Sequence, residues 1–421
     1  MNTRAVPIWG FEIMNDPNTL ARERMIASHP WLVGVRPAAE VMPGMQPNLI
    51  LHAAPPARWG DMGDLMRGGL IGAALYEGLA RTPEEAAEKA QSGAITFDAA
   101  QNHGGVAGGV GSITASMPVM VVEDRSNGNI ATHFVMEGLG RTLVSGFYDH
   151  AVLDRLRWFR DSFAPTLDAA IRAVGGIDLR EMMAEALCRG DELHNRNRAG
   201  TSMLINAIVP GLIDIGAPGP DIKRALAFLA GNPQFFVGCV LPAAALMLRT
   251  ARGIPGCSIV TAIGANGKDC GLQVGGLPGR WFVALGDVPK GVLQEGVTQA
   301  DVAPGCGDSF VGELCGFGAS VLPAAPALGP VIGASLEDGL RFAHGAYSVT
   351  VGEHPHYKVP ALGFRGTPIG FDARKVVATG TLPVIDIAMS HRMPGMGMIG
   401  MGVVSPPMQC FEQAVRALDA A

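Results

Sequence analysis

The sequence predicts an α+β protein of several domains, with two mixed α/β regions around a small helical one. Three observations support this. The 421 residues are 48% hydrophobic and only 17% charged, which excludes a disordered chain and leaves apolar content for more than one core. Strand-like and helix-like segments do not alternate one for one, which argues against a doubly wound sheet. The texture changes from mixed to helical near residue 148 and back near residue 251. The expected divisions are therefore an N-terminal α+β domain over 1–147, a helical domain over 148–250 and a C-terminal α+β domain over 251–421.

In the first region, Leu49 to Ala53 is a short apolar strand before Pro55-Pro56. Asp64 to Arg81 follows as a helix carrying Gly68, Gly69, Gly72 and Ala73, small enough for close approach to a neighbour. Thr82-Pro83-Glu84-Glu85 combines a cap, a proline and first-turn acids, and Gly93 stops that helix. Ala94 to Phe97 and Met117 to Val122 read as strands on either side of a glycine-rich loop.

The second region places Val152, Leu153, Leu156 and Phe159 at helical spacing over Asp149 to Phe163. Asp178 opens another helix. Further helices are expected over Ala199 to Val209, ending before Pro210, and over Asp221 to Leu229. Phe235 to Leu248 has no charge and reads as a buried helix broken at Pro242. In the third region, Asn266-Gly267 marks a hairpin between Ser258–Ile263 and Cys270–Val274. Arg280 to Leu285 adds a strand, Asp308-Ser309 caps a helix, and Asp372 to Thr379 is a helix closed by Gly380. Leu382 to Met389 is a buried strand, and Pro407 starts the last helix, which runs to Leu418.

Composition excludes several classes of function. The net charge is −6 with no dense Lys/Arg run, so neither nucleic acid nor an acidic membrane surface is an expected partner. The uncharged run Leu314 to Leu336 is long enough to span a bilayer, yet Pro323, Pro326 and Pro330 favour a buried helix and a turn. Met1 to Gly10 carries no signal-peptide pattern. Seven cysteines without a C-x-x-C pair read as reduced thiols in a cytoplasmic protein. P-loop, G-x-S-x-G and H-E-x-x-H patterns are absent. Gly395 to Gly400 matches G-x-G-x-x-G, but Pro406-Pro407 follows, so a tight glycine loop is the better reading. No metal and no cofactor are expected.

Four segments remain that can carry chemistry. The first is Gln101 to Ser112, where Gly104, Gly105, Gly108 and Gly109 free backbone N–H groups for an anion, with Asn102 and His103 at the mouth. The second is Gly190 to Arg198. On a helix, Asp191, His194, Asn195 and Arg198 would form one polar face, with Glu192 paired to Arg196 beside it; cleft and solvent face are equally open. The third is Pro304 to Phe310, where Asp308 and Ser309 either cap a helix or help its N-terminus hold an anion, and Cys306 is a weak nucleophile candidate. The fourth is Phe364 to Lys375, where Arg365, Thr367, Arg374 and Lys375 offer forks for carboxylate or phosphate. His391 ends a buried strand nearby.

Taken in order, these segments resemble the YlbE-like family of bacterial proteins. The resemblance is carried by His103-Gly104, Ser116-Met117-Pro118-Val119, Gly190-Asp191-Glu192 with His194 to Arg198, Gly307-Asp308-Ser309, Phe364 to Pro368 through Gly380, and Pro406-Pro407-Met408. Members include one subunit of the oxamate carbamoyltransferase of anaerobic allantoin breakdown. The resemblance implies a small-molecule substrate pair, carbamoyl phosphate and an oxamate-like amide. It also implies an oligomer with an FdrA-type, succinyl-CoA-synthetase-like subunit and a third small subunit. On that chemistry the glycine loop, Ser309, Arg365, Arg374 and Lys375 bind phosphate and carboxylate. His103, Asn195 or Arg198 donate to the carbamoyl oxygen, and His194 or His391 is the base. The Ser-x-Arg-Thr-Arg phosphate motif of ordinary carbamoyltransferases is absent. Two other readings stay open: a non-catalytic scaffold or regulatory subunit, and an acyl-CoA or acyl-phosphate ligase subunit.

Overall fold

A computed structural model describes residues 16–216 and 218–421. Residues 1–10, on which the signal-peptide reading rests, lie outside the described residues. The fold is α+β, with helices packed around several separate sheets.

The first sheet has five strands, in the order Gly105–Val106, Asn129–Phe134, Pro118–Asp124, Pro30–Pro37 and Ile177–Asp178. A four-stranded sheet runs Phe282–Leu285, Asp269–Val274, Val260–Asn266 and Cys306–Gly307. A three-stranded sheet runs Lys290–Leu293, Met398–Val404 and Ile385–Ser390. Two strand pairs complete the set: parallel Leu49–His52 with Thr96–Ala99, and antiparallel Thr350–Val359 with Arg365–Phe371.

The local signals act as the sequence suggests. Thr82 Oγ1 accepts the Glu85 N–H at 3.2 Å, and the helix Pro83–Ser92 stops at Gly93, whose φ is +78°. Asp178 and Asp372 cap the helices Leu179–Cys188 and Ala373–Thr379 through their carboxylates. Gly267, at φ +80°, turns the hairpin Val260–Asn266/Asp269–Val274. The helix opening at Asp64 stops at Glu77, where Gly78 takes φ +76°.

The proline expectations fail. The helix Arg198–Asp214 runs through Pro210, and Val237–Arg249 runs through Pro242. Each proline removes one hydrogen bond and crowds the preceding turn, at about 3 kcal/mol, but packing outweighs this. Gly211 lies so close to Ala170 O that a Cβ would approach it to 2.2 Å, and every residue from Val237 to Leu248 is buried. The run beginning at Leu314 forms a 3₁₀ segment, Gly318–Ala324, and a short helix, Gly329–Ile332, in place of one long helix. No helix among the described residues is long and apolar enough to cross a membrane.

The buried helix Val237–Arg249 positions the site. It packs on Asn129–Phe134 and Pro118–Asp124 of the first sheet and on Val260–Asn266 of the second. Gly238 allows the approach, since a Cβ there would sit 3.3 Å from Met136 and 3.6 Å from His133 Nδ1. One continuous apolar cluster extends from Ala21 to Leu418 through residues of all three regions.

Candidate functional site

At the N-terminal end of this helix is a cavity of about 140 Å³. Its walls come from distant parts of the chain. The first region supplies Gly108, Gly109, His133, Phe134 and the glycines flanking Leu139. The helical region supplies His194, Asn195, Gln234, Val237 and Leu241. The third supplies Cys306, Ser309, Ile387, Ser390, Met398 and Met401. No lysine or arginine lines it among the described residues.

The glycine loop is pinned from behind by Asp308. One carboxylate oxygen accepts the Ala54 N–H at 2.8 Å and Gln101 Nε2 at 2.7 Å, and the other accepts the Ala107 N–H at 2.9 Å. The Asp308 N–H returns a 2.7 Å bond to Ala107 O. Asp308 is therefore not the helix cap suggested by its position. The helix Phe310–Leu314 starts after Ser309 with no side-chain cap, and the carboxylate instead holds two other segments together. Burial pushes Asp308 up to about 7 despite these donors. Arg249 completes the support by donating to Gly104 O and Gly105 O. Beyond Ala107, the Gly108 and Gly109 N–H groups meet no acceptor among the described residues. A Cβ on Gly307 would come within 2.8 Å of Gly109 N, so glycine is needed where the two loops meet.

Behind the cavity wall, His194 belongs to a buried charged cluster. His194 Nδ1 lies 2.6 Å from Asp386 Oδ1 and 3.5 Å from Glu313 Oε1. Burial alone would lower the imidazole, but the charge and hydrogen bond of Asp386, helped by Glu313, raise it to about 10. Burial would raise Asp386, and the facing imidazolium holds it below the usual carboxylate range instead. Burial drives Glu313 and Glu192 upward, reinforced by the Asp386 charge. Glu313 accepts the Ala319 N–H at 2.9 Å and the Asp386 N–H at 3.2 Å. The His194 ring nitrogen facing away from the acids, Nε2, makes no hydrogen bond among the described residues. His194, Glu313 and Asp386 are also the one group there whose ligand atoms all lie within 4.8 Å of one another. A divalent ion would have to replace the proton that His194 shares with Asp386.

The segment carrying His194 is not a helix. Residues 191–197 form a loop, with Leu193 at φ +70°. The loop wraps around the Glu192 carboxylate, which accepts the N–H groups of His194, Asn195 and Arg196. Arg196 does not pair with Glu192 through its side chain; its Nε donates to Gly190 O at 2.9 Å. A carboxylate satisfied by its own following N–H groups competes with helix formation, and so the expected continuous face does not form.

The candidates from sequence thus separate. Gly108, Gly109, His194, Asn195 and Ser309 line the cavity, with Asp308 directly behind them. His103 lies apart, with its ring nitrogens on Asp98 at 2.9 Å and Pro43 O at 2.7 Å. Asn102 accepts from Trp281 Nε1 and donates to Asp98. Gly104 and Gly105 face Arg249, and Arg198 is exposed at the start of its helix. Arg365 pairs with Glu353 at 2.6 Å and covers the Tyr347 ring. Thr367 donates to Cys315 O. Arg374 pairs with Asp419, and Lys375 donates to Thr350 O. His391 Nδ1 accepts the Met393 N–H at 2.9 Å. Cys306 does line the cavity, but burial pushes its thiol up to about 12, so it is protonated near neutral pH.

Four contributors escaped the sequence reading: His133 and Gln234 in the wall, and Glu313 and Asp386 behind it. Two carried a visible signal. Glu313 and Asp386 are lone charges inside otherwise apolar stretches, Phe310 to Cys315 and Leu382 to Met389. A charge in such a run is seldom buried without a partner.

Known proteins resemble the chain along almost its full length. The family described as "Oxamate carbamoyltransferase subunit AllG" matches residues 95–309. Oxamate carbamoyltransferase subunit AllG of Escherichia coli (strain K12) is 34% identical over 412 residues, covering 97% of this chain and 98% of that protein. The uncharacterized protein YahG of the same organism is 40% identical over 398 residues, covering 94% of this chain and 84% of that one. A crystal structure of a conserved protein of unknown function from Enterococcus faecalis V583 superimposes with a TM-score of 0.95 at 36% identity, covering 97% and 98% of the two chains.

Proposed function

The chain belongs to the family of the oxamate carbamoyltransferase subunit AllG, and on that premise we propose that it binds the substrates of a carbamoyl transfer between carbamoyl phosphate and a small amide such as oxamate. The observation that carries this is the meeting, in one small cavity, of the unpaired Gly108 and Gly109 N–H groups, Ser309 and the His194 imidazolium. Its volume, about 140 Å³, is below the ~300–1,000 Å³ typical of drug-sized ligand sites and favours molecules of a few heavy atoms over a nucleotide or CoA.

In the forward reaction the amide nitrogen attacks the carbamoyl carbon. A C–N bond forms, the C–O bond to phosphate breaks, and the proton lost by the nitrogen passes to the departing oxygen, which leaves as inorganic phosphate. Negative charge grows first on the carbamoyl oxygen and then on the departing phosphate. Fixed N–H donors and a cationic imidazole in a site shielded from water stabilise that charge without reorganising. Asp386 and Glu313 keep His194 charged and hold its ring. We further propose cytoplasmic assembly with an FdrA-type, succinyl-CoA-synthetase-like subunit and a third small subunit.

The test is turnover of the complex reconstituted from the full chain and these partners, with carbamoyl phosphate and oxamate. Release of phosphate with formation of the carbamoylated amide is expected, and His194→Gln should lower kcat by about a hundredfold or more. Absence of turnover in the wild-type complex, or full activity in a folded His194→Gln variant, would sink the assignment.

A further inference from the structure

His133 stands on the opposite side of the charge balance from His194. It is fully buried at the end of the strand Asn129–Phe134, and its ring lines the cavity beside Gly108. Its Nδ1 lies 2.7 Å from Phe134 O. A carbonyl can only accept, so Nδ1 carries the proton and Nε2 presents a lone pair. That Nε2 is buried and has no hydrogen-bond partner. Gly108 places no side chain against this nitrogen, where an added Cβ would lie in van der Waals contact at 3.4 Å. A buried acceptor with no partner is costly unless a ligand satisfies it.

We infer that His133 Nε2 accepts a hydrogen bond from the N–H of a primary amide bound in this cavity, so that the site selects a –C(O)NH₂ group over its –C(O)CH₃ counterpart. The inference rests on the carbamoyl-transfer function proposed above and goes further by assigning the group that reads the substrate nitrogen. The cavity then holds two histidines in complementary roles. His194 is a cationic donor toward oxygen. His133, lowered to about 4 by burial, is a neutral acceptor toward nitrogen. Such divergence between neighbouring titratable groups separates donor from acceptor in an active site. The amide belongs either to the carbamoyl group of carbamoyl phosphate or to the accepting oxamate, and both present the same N–H chemistry.

Calorimetric titration of the full chain with two ligand pairs separates these sources. Carbamoyl phosphate against acetyl phosphate, and oxamate against pyruvate, each exchange NH₂ for CH₃ at constant charge and nearly constant size. The wild-type chain should bind the amide member of one pair about three- to tenfold more tightly, the loss expected for one hydrogen bond. The pair that discriminates identifies the source. His133→Phe should abolish the preference, both members of the pair then binding alike, and His133→Gln, which retains an acceptor oxygen, should restore part of it. The ¹⁵N resonance of His133 Nε2 in the wild-type chain should move with the preferred amide and stay still with its methyl counterpart, a readout needing no variant. Equal binding within both pairs, or a preference that survives in folded His133→Phe, would overturn the role of His133 while leaving carbamoyl transfer standing. No binding of any of the four would overturn both.

Discussion

His194 and Asp386, 192 residues apart in sequence, form a 2.6 Å hydrogen-bonded ion pair deep in the protein. Asp386 lies on the strand Ile385–Ser390, and His194 on the loop before the helix Arg198–Asp214. The pair therefore ties the helical region to the third sheet at the cavity wall. A buried pair is stabilising only if its remaining polar atoms are satisfied. Here the Asp386 N–H donates to Glu313 and the loop bearing His194 is held by Glu192, but Asp386 Oδ2 is buried with no partner among the described residues, so the pair is only partly satisfied. Replacing Asp386 by asparagine leaves the imidazole without its counter-charge. The expected loss of stability is about 3–5 kcal/mol in denaturant titration.

The same pair sets a dependence on pH. His194 is raised from 6.5 to about 10 in the folded protein, so the folded state holds its proton more tightly than the unfolded one. Its contribution is complete below pH 6.5 and is lost as pH rises through about 10. The upward shifts of Glu192 and Glu313 have the same sign. Stability should therefore fall between pH 7 and 10, with a shallower slope in Asp386→Asn. Thermal unfolding across that range measures it, and a rise in wild-type stability would contradict the ion-pair description.

Asp308 gives a separate expectation. Its carboxylate accepts from Ala54, Ala107 and Gln101, so Asp308→Ala strands buried donors, each at about 1–3 kcal/mol. The glycine loop next to Ala107 also loses its anchor. Weaker ligand binding should accompany the loss of stability, whereas an ordinary helix cap would cost about 1 kcal/mol and leave binding intact.

Local features of the fold were the legible ones. Thr82 with Gly93, Asp178, Asp372 with Gly380 and the Gly267 hairpin each depend on neighbours in sequence, and each acts as its residue type dictates. Pro210 and Pro242 misled because their cost is local and the burial that offsets it is not. The cavity was half legible. Gly108, Gly109, His194, Asn195 and Ser309 stood out as polar or glycine-rich segments. His133 in its wall, and Asp386 and Glu313 behind His194, come to it only because strands of two separate sheets and the helix Phe310–Leu314 pack together there. The glycine loop at 104–111 and the segment at 305–307, both picked out from sequence, do meet, with Gly307 abutting Gly109. Gly366 and Gly370 lie on the strand Arg365–Phe371, whose Arg365 pairs with the surface acid Glu353.

Those surface cations yield a contrasting expectation. Arg365 and Arg374 pair with Glu353 and Asp419 at exposed positions. Such pairs contribute about 0–1 kcal/mol. Arg365→Ala and Arg374→Ala should therefore change stability by no more than about 1 kcal/mol. Affinity for carbamoyl phosphate and oxamate should stay at the wild-type value. Loss of binding in either variant would return these residues to the site.

Gly109 tests whether the loop backbone itself forms the site. Its φ is +58°, where a Cβ costs roughly 1–2 kcal/mol. An added Cβ would also approach Val144 O to 2.8 Å and Val144 Cβ to 3.1 Å. Gly128 supplies the comparison, with φ +75° and nothing within 4 Å of an added Cβ. Alanine there carries the same backbone cost without the collision. Gly109→Ala should therefore be the less stable of the two by chemical denaturation. It should also lose ligand affinity, because relieving the contact with Val144 moves the Gly109 N–H out of the cavity wall. Gly128→Ala should bind as the wild type does. Equal binding by the two variants would show that the loop's N–H groups do not hold the ligand.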